Sequence, residues 1–265
     1  MHVNVVHIIL EEKDKLILIT NDDGLYAAGL KTLINIMKDF GKLVVISATE
    51  SRSGMSQALT VKQPIRVKLL EETDHHRIYA CSGTPTDGIK LAINQLTERK
   101  PDLVVAGINH GSNASASVLY SGTMAAALEG CLYSITSVGF SLNSYSATAD
   151  FSPGEKYIRK ICSMLLDEPL PKGICLNVNI PALPDDEIKG MVVVRQAGGS
   201  WQEEFEKRKD PAGKNYYWLT GNFIDHEPEA TDTDEWALRN GYVSVVPVTT
   251  DMTAHGFINT LRKKL

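Results

Sequence analysis

Short apolar runs and helical periods alternate along the first two-thirds of the chain. Residues 15–20 (K-L-I-L-I-T) are apolar but too few for a helix, and predict a strand. Leu30, Leu33, Ile34, Met37 and Phe40 then recur at helical spacing, with Gly41 as a stop. Residues 43–46 predict a second strand, and 64–70 and 77–81 a pair of extended segments. Thr84-Pro85-Thr86-Asp87 opens another helix: Thr84 suits the N-cap, Pro85 the first helical position, and Asp87 completes a capping-box-like arrangement. Residues 101–106 predict a further strand and 121–133 a helix of small residues. Residues 136–142 predict a buried strand, and Ser152-Pro153 starts a helix to about residue 167. Such alternation predicts parallel pairing through right-handed crossovers. The fold class is therefore α/β, a Rossmann-like, doubly wound, mostly parallel sheet.

The second part reads differently. Residues 174–180, 191–196 and 242–248 predict strands, and 233–240 a short helix. Residues 198–222 are aromatic and charged without a clear period, and the second part as a whole reads as additional strands plus a projecting excursion. No Gly/Ser linker or repeat marks a domain boundary. Residues 15–265 are thus expected to form a single domain, with a core over about 15–180 and a β-rich excursion and C-terminal arm over about 190–265. Residues 1–14 form an extension of no assigned function. Large aromatics outside a core suit an interface, so the excursion and the arm after Pro247 are expected to pack against another copy of the chain.

Composition narrows the function. With 265 residues and a formal net charge of −5, the chain has no dense Lys/Arg run, so a polynucleotide is not expected as an obligate partner. Cys81, Cys131, Cys162 and Cys175 are scattered, as expected for reduced thiols in a cytosolic protein. The apolar opening lacks a basic front and a cleavage site and is cut off by Glu11-Glu12-Lys13-Asp14. No later run is long enough to span a bilayer, so a cytoplasmic location without membrane attachment is expected.

The strongest local signal is Thr20-Asn21-Asp22-Asp23-Gly24, directly after the first strand. Adjacent carboxylates repel unless a cation sits beside them, and hard oxygens suit Mg²⁺, Mn²⁺ or Ca²⁺. A solvated Asp-Asp-Gly turn is the bland alternative. Two further polar segments follow predicted strands: Ser51-Arg52-Ser53-Gly54-Met55-Ser56, and Gly107-Ile108-Asn109-His110-Gly111-Ser112-Asn113. In an open parallel sheet the loops at the carboxyl ends of strands meet over one crevice. Their oxygens, amides and one guanidinium suit a hard metal and a phosphate. Tyr120-Ser121-Gly122-Thr123 precedes the small-residue helix, whose free N–H groups would favour an anion there. Asn113, Ser121, Gly122 and Thr123 are the expected phosphate contacts.

These motifs, in this order, resemble the survival protein E (SurE) family of nucleotidases. The match takes in Asn21-Asp22-Asp23-Gly24, Arg52-Ser53-Gly54-x-Ser56, Ser82-Gly83-Thr84-Pro85-x-Asp87 and Gly107-Ile108-Asn109-x-Gly111-x-Asn113. It continues through Tyr120-Ser121-Gly122-Thr123, Glu129-Gly130, Gly241-Tyr242-Val243-Ser244 and Asp251-x-Thr253-Ala254-His255. The resemblance implies one divalent cation per subunit, Mg²⁺ or Mn²⁺, held by Asp22, Asp23, Ser53 and Asn109. It implies a homodimer or homotetramer that hydrolyses nucleoside 5′-monophosphates, with 3′-nucleotides and short polyphosphate as further substrates. Asp22 and Asp23 are the expected catalytic pair, either as cation ligands or by direct attack on phosphorus. The family's Ala-Pro-Gly is Ala27-Ala28-Gly29 here, and its Ala-Pro is Ala48-Thr49; neither change removes a ligand.

Several residues carry two readings. His110 is a general acid or a bystander, Arg52 a phosphate contact or a loop brace, and Asp251 with His255 a structural pair before a catalytic one. Trp201, Phe205, Tyr216, Tyr217, Trp218 and Phe223 read as interface before base-stacking surface. A phosphate-responsive signalling receiver also carries an acidic pair after its first strand. It needs an Asp after the third core strand and a Lys after the last, whereas the strand ends here are Cys81-Ser82, Asn109 and Leu142-Asn143. A nicotinamide oxidoreductase lacks its G-x-G-x-x-G turn.

Overall fold

The computed structural model describes residues 14–202 and 205–265, so the extension over 1–14 lies, except for Asp14, outside the described residues. All five residues of β1 (Leu16–Thr20) are buried, which suits a strand with neighbours on both edges and helices on both faces. Its partners are β2 (Lys42–Ala48) and β5 (Leu103–His110), both parallel. Beyond β2 lie β4 (His76–Cys81), parallel to it, and β3 (Val67–Glu72), antiparallel at the edge. Beyond β5 come β6 (Thr136–Asn143) and β7 (Ile174–Pro181), both parallel. Then follow β13 (Val243–Thr249), antiparallel to β7, and β8 (Met191–Val193), parallel to β13. The nine-stranded sheet has the order β3-β4-β2-β1-β5-β6-β7-β13-β8. It is the mostly parallel α/β sheet that the pattern predicts.

Alternate residues of each strand serve opposite layers. Ile17, Ile19, Val105 and Phe140 pack with α1 (Ala28–Met37) and α4 (Glu155–Asp167). Leu18, Ile46, Val104 and Ala106 face α2 (Pro85–Leu91) and α3 (Gly122–Leu132). The capping box forms: Thr84 Oγ1 accepts from the Asp87 amide at 3.1 Å, and Asp87 Oδ2 from the Thr84 amide at 2.9 Å. Glu129, buried on α3, takes Lys90 Nζ at 2.8 Å and so ties α3 to α2.

The expectation of uniformly right-handed crossovers needs one correction. From β5 to β6 and from β6 to β7 the chain steps in the same direction along the sheet. Yet α3 and α4 lie on opposite faces, so those two crossovers have opposite hand. Placing α4 against α1 fills the layer that α1 alone would leave open, with Ile158, Ile161 and Leu165 in the same cluster as Leu30 and Leu33.

Some element bounds also differ. β5 runs to His110, past Ala106, because the chain rejoins β6 after an irregularity between Ala106 and Asn109. The predicted strand over 191–196 stops at Val193 and is followed by an isolated bridge between Arg195 and Thr233. The excursion holds two antiparallel pairs: β9 (Gly199–Gln202) with β12 (Asn222–Asp225), and β10 (Phe205–Lys209) with β11 (Asn215–Leu219). Every residue of β10 and β11 is exposed, so neither face selects apolar residues and the period-2 signal is absent. The chain continues through α5 (Asp234–Arg239) and, after β13, ends in α6 (His255–Arg262), which buries none of its residues. At its start His255 Nε2 meets Asp251 Oδ2 at 2.6 Å on the surface, the structural pair anticipated above. All four cysteines are free and buried.

Candidate metal and phosphate site

The chain leaves β1 toward β2 on one side, and β5 flanks β1 on the other, so a crevice opens at their carboxyl ends. Asn21 shapes the turn there. Its Nδ2 donates to Gly24 O at 3.0 Å and its Oδ1 accepts from Ser47 Oγ at 2.6 Å. Gly24 has φ +103°, a conformation that L side chains rarely adopt, and the turn throws Asp22 and Asp23 into the crevice.

Asp22 is 2% exposed and tightly held. Thr123 Oγ1 donates to Asp22 Oδ1 at 2.5 Å, and the backbone amides of Gly122 and Thr123 also donate to this carboxylate. The amino end of α3 is therefore turned on a carboxylate of the chain itself, as the helix dipole favours. Gly122 and Thr123, anticipated as phosphate contacts, are placed around Asp22. Asp23 Oδ2 accepts from the His110 amide at 2.8 Å, and the Ser53 hydroxyl bonds the same carboxylate. Burial pushes the Asp22 carboxyl up despite those donors. Burial, and next the Asp22 charge, push Asp23 up to about 6.

Asn109 Nδ2 donates to Gly111 O at 2.7 Å, which leaves the amide oxygen as the atom to face a cation. Asp22, Ser53 and Asn109 line one cavity. With Asp23 they make an all-oxygen donor set of two anions and two neutral groups. Such a set fits a hard cation that keeps water or substrate in its remaining positions. Among the described residues no group of three or more His, Cys, Asp and Glu is placed to hold a metal. A cation beside Asp22 and Asp23 also removes the repulsion that raises Asp23.

The cavity has a volume of about 480 Å³. Ser121 lies at its wall and caps α3, its Oγ accepting from the Met124 amide at 3.0 Å. Asn113 also lines it, but its Nδ2 donates to Ser141 Oγ at 2.8 Å and its amide to Asn179 Oδ1 at 2.8 Å. Asn177 Nδ2 bonds Asn113 O at 2.8 Å. Arg52 reaches Ser82 O at 3.5 Å and is not among the cavity residues, which suits a brace.

His110 lines the cavity, with Nε2 bonded to Ser146 O at 2.7 Å and its ring edge-on to Phe151 at 6.0 Å. A ring nitrogen facing a carbonyl must carry the proton and cannot release it without losing that bond. His110→Ala is therefore expected to cause small, equal losses of rate on a nucleotide and on p-nitrophenyl phosphate, whose leaving group needs no proton. A loss of about a hundredfold confined to the nucleotide would make His110 the general acid.

The structure also gives parts to residues that pattern reading assigned no role. Ser56 Oγ donates to Leu119 O at 2.8 Å and its amide to Tyr120 O at 3.1 Å, tying the Ser53 loop to the segment before α3. Asp234, fully buried, accepts from the amides of Ser115 and Ala197 at 2.9 Å each, joining the segment after Asn113 to the start of β9. Asn177 and Asn179 had a legible signal, two amides alternating with apolar residues in a buried strand.

Comparison with known proteins gives the family. Residues 17–203 match the family model described as survival protein SurE. A protein of Christiangramia forsetii named 5′-nucleotidase SurE is 50% identical over 254 residues, covering 95% of this chain and 97% of its own. One of the same name from Bacteroides fragilis is 49% identical over 255 residues, covering 96% and 98%. The crystal structure of the SurE protein from Aquifex aeolicus superposes with a TM-score of 0.80 at 34% identity, over 94% of this chain and 99% of that one. With a family model across most of its length and relatives this similar end to end, the chain belongs to the survival protein SurE family.

Proposed function

We propose that this chain is a metal-dependent phosphomonoesterase that hydrolyses nucleoside 5′-monophosphates to nucleoside and phosphate. The observation that carries the reading is the adjacent pair Asp22 and Asp23, with Asp22 at the wall of a cavity of about 480 Å³ that Ser53 and Asn109 also line. Asp22, Asp23, Ser53 and Asn109 would hold the cation, Mg²⁺ or Mn²⁺. When bound, it supplies positive charge to the phosphoryl group and acidifies water at the site. The chain's part is positioning. Thr123 and the amides of Gly122 and Thr123 fix Asp22, the His110 amide and Ser53 fix Asp23, and Ser121 and Asn113 line the space beside them. The bonds on Asp22 leave it poorly placed to attack phosphorus, which favours water as the nucleophile over an aspartyl phosphate. A phosphate-release panel tests this: AMP with Mg²⁺ or Mn²⁺ should yield phosphate, and no release from any nucleotide or from p-nitrophenyl phosphate would end the reading.

Among the described residues no helix is long and apolar enough to cross a membrane. The proposed working form is a homodimer or homotetramer in the cytoplasm. Met252, Phe257 and Leu261 on the C-terminal arm, and Phe205, Tyr217 and Trp218 on β10 and β11, are exposed apolar groups that a second copy would cover. Removing residues 252–265 should shift the mass seen by light scattering toward monomer. A full-length protein that runs as a monomer at micromolar concentration would refute the assembly.

A further inference from the structure

Aromatic side chains share the cavity that Asp22 lines. Tyr145, Trp201 and Leu219 line it, drawn from the segment after β6, from β9 and from β11. The Tyr145 ring rests on glycine backbone, and Trp201 on a second ring that does. A Cβ on Gly111 would come 2.4 Å from the Tyr145 ring, so the ring lies directly on the segment that carries Asn109. Trp201 meets Phe223 edge-on at 6.0 Å between centroids and an interplanar angle of 67°. Phe223 in turn fills the place that a Cβ on Gly199 would need, 2.3 Å away. Trp201 is thus braced from behind while it contributes to the cavity wall.

The sequence alone favoured an interface for Trp201. Its position separates it from Tyr217 and Trp218, which lie on the exposed strand β11 and do not line the cavity. Resting on the phosphatase reading above, we propose that Trp201, with Tyr145, forms the wall that receives the nucleobase, and so sets a preference for nucleotides over other phosphomonoesters. A cavity lined by both hard oxygens and braced aromatic rings offers what a mononucleotide carries, a place for its phosphate and a face for its aromatic base. Ser112 and Ser117, also in the lining, lie within the same cavity to meet the polar sugar. Stacking on an aromatic ring tolerates any base but grows with its area, so purine monophosphates bind more tightly than pyrimidine ones.

The test compares AMP, UMP and ribose 5-phosphate, which keeps sugar and phosphate but has no base. On the full chain, Trp201→Ala should raise KM for AMP by about tenfold more than KM for ribose 5-phosphate. kcat on AMP should change far less than KM, and Trp201→Phe should restore most of the affinity. Equal losses on AMP and ribose 5-phosphate would mean a structural role and overturn the wall, as would unchanged KM for AMP. Adenosine binding followed by calorimetry on wild type and Trp201→Phe needs neither catalysis nor the drastic variant. Absence of adenosine binding to the wild type would likewise overturn the wall. Failure of all three substrates to release phosphate, with adenosine still bound, would remove the phosphatase reading and leave the wall standing.

Discussion

Asp22→Asn lowers phosphate release from AMP by at least about a hundredfold, the usual size for disrupting an important catalytic electrostatic contact. The substitution keeps the shape of the side chain but removes one anion from the proposed cation's shell. It also puts an amide NH₂ where Thr123 Oγ1 and the amides of Gly122 and Thr123 now donate, so a donor can face a donor. Exhaustive chelation of the unaltered protein should abolish release, and Mg²⁺ or Mn²⁺ should restore it; full activity without metal would sink the cation. A pH dependence follows from Asp23. Its metal-free carboxyl is pushed up to about 6 from an ordinary 3.8, so protons compete with the cation as pH falls through about 6. The folded protein holds that proton more tightly than the unfolded chain. This group's contribution to metal-free stability is therefore favourable at low pH and lost as pH rises through about 6. The rise in melting temperature on adding Mg²⁺ should accordingly be larger at pH 7 than at pH 5. A metal effect that shrinks with rising pH would contradict the assignment.

Gly122→Ala should cost between about tenfold and a hundredfold in rate without unfolding the protein, because small displacements of a catalytic group are expensive. The added methyl carbon would sit 2.8 Å from both Cβ and Oδ2 of Asp22, closer than real contacts allow. Either Asp22 swings off its clamp or the start of α3 moves away, and in both cases the Asp22–Asp23 spacing changes. Alanine itself suits a helix better than glycine, so the stability loss should be small. Mn²⁺ affinity measured by calorimetry should fall together with the rate. Gly88→Ala is the control: its methyl would make ordinary 3.5 Å contact with Ile46, on a helix away from the cavity, and the rate should stay near that of the parent. Full rate and metal affinity in Gly122→Ala would show that the clamp on Asp22 is not needed.

The order of strands and helices up to α4 was legible in the chain because each element is built from contiguous residues with a period of its own. The buried strands are unbroken apolar runs, and Thr84, Pro85 and Asp87 encode the start of α2 within one turn. Asp22 and Asp23 were legible as a candidate site for the same reason: two adjacent carboxylates stand directly after a buried strand. What they bond was not. Thr123 lies 101 residues from Asp22 and the His110 amide 87 residues from Asp23, and no local pattern reports a hydrogen bond across that distance. Gly122 and Thr123 were expected as phosphate contacts because a free helix start attracts any anion; only the fold shows that the Asp22 carboxylate lies there as well. The hand of the β6–α4–β7 crossover was likewise decided by packing, since the period of α4 is the same on either face of the sheet. Residues 198–222 hid their strands because no core selects their faces, and the separation of Trp201 from Trp218 depends on how that excursion folds back over the cavity. Local sequence determined the elements and the acidic pair. Long-range packing determined which groups surround that pair and which aromatic ring shares its cavity.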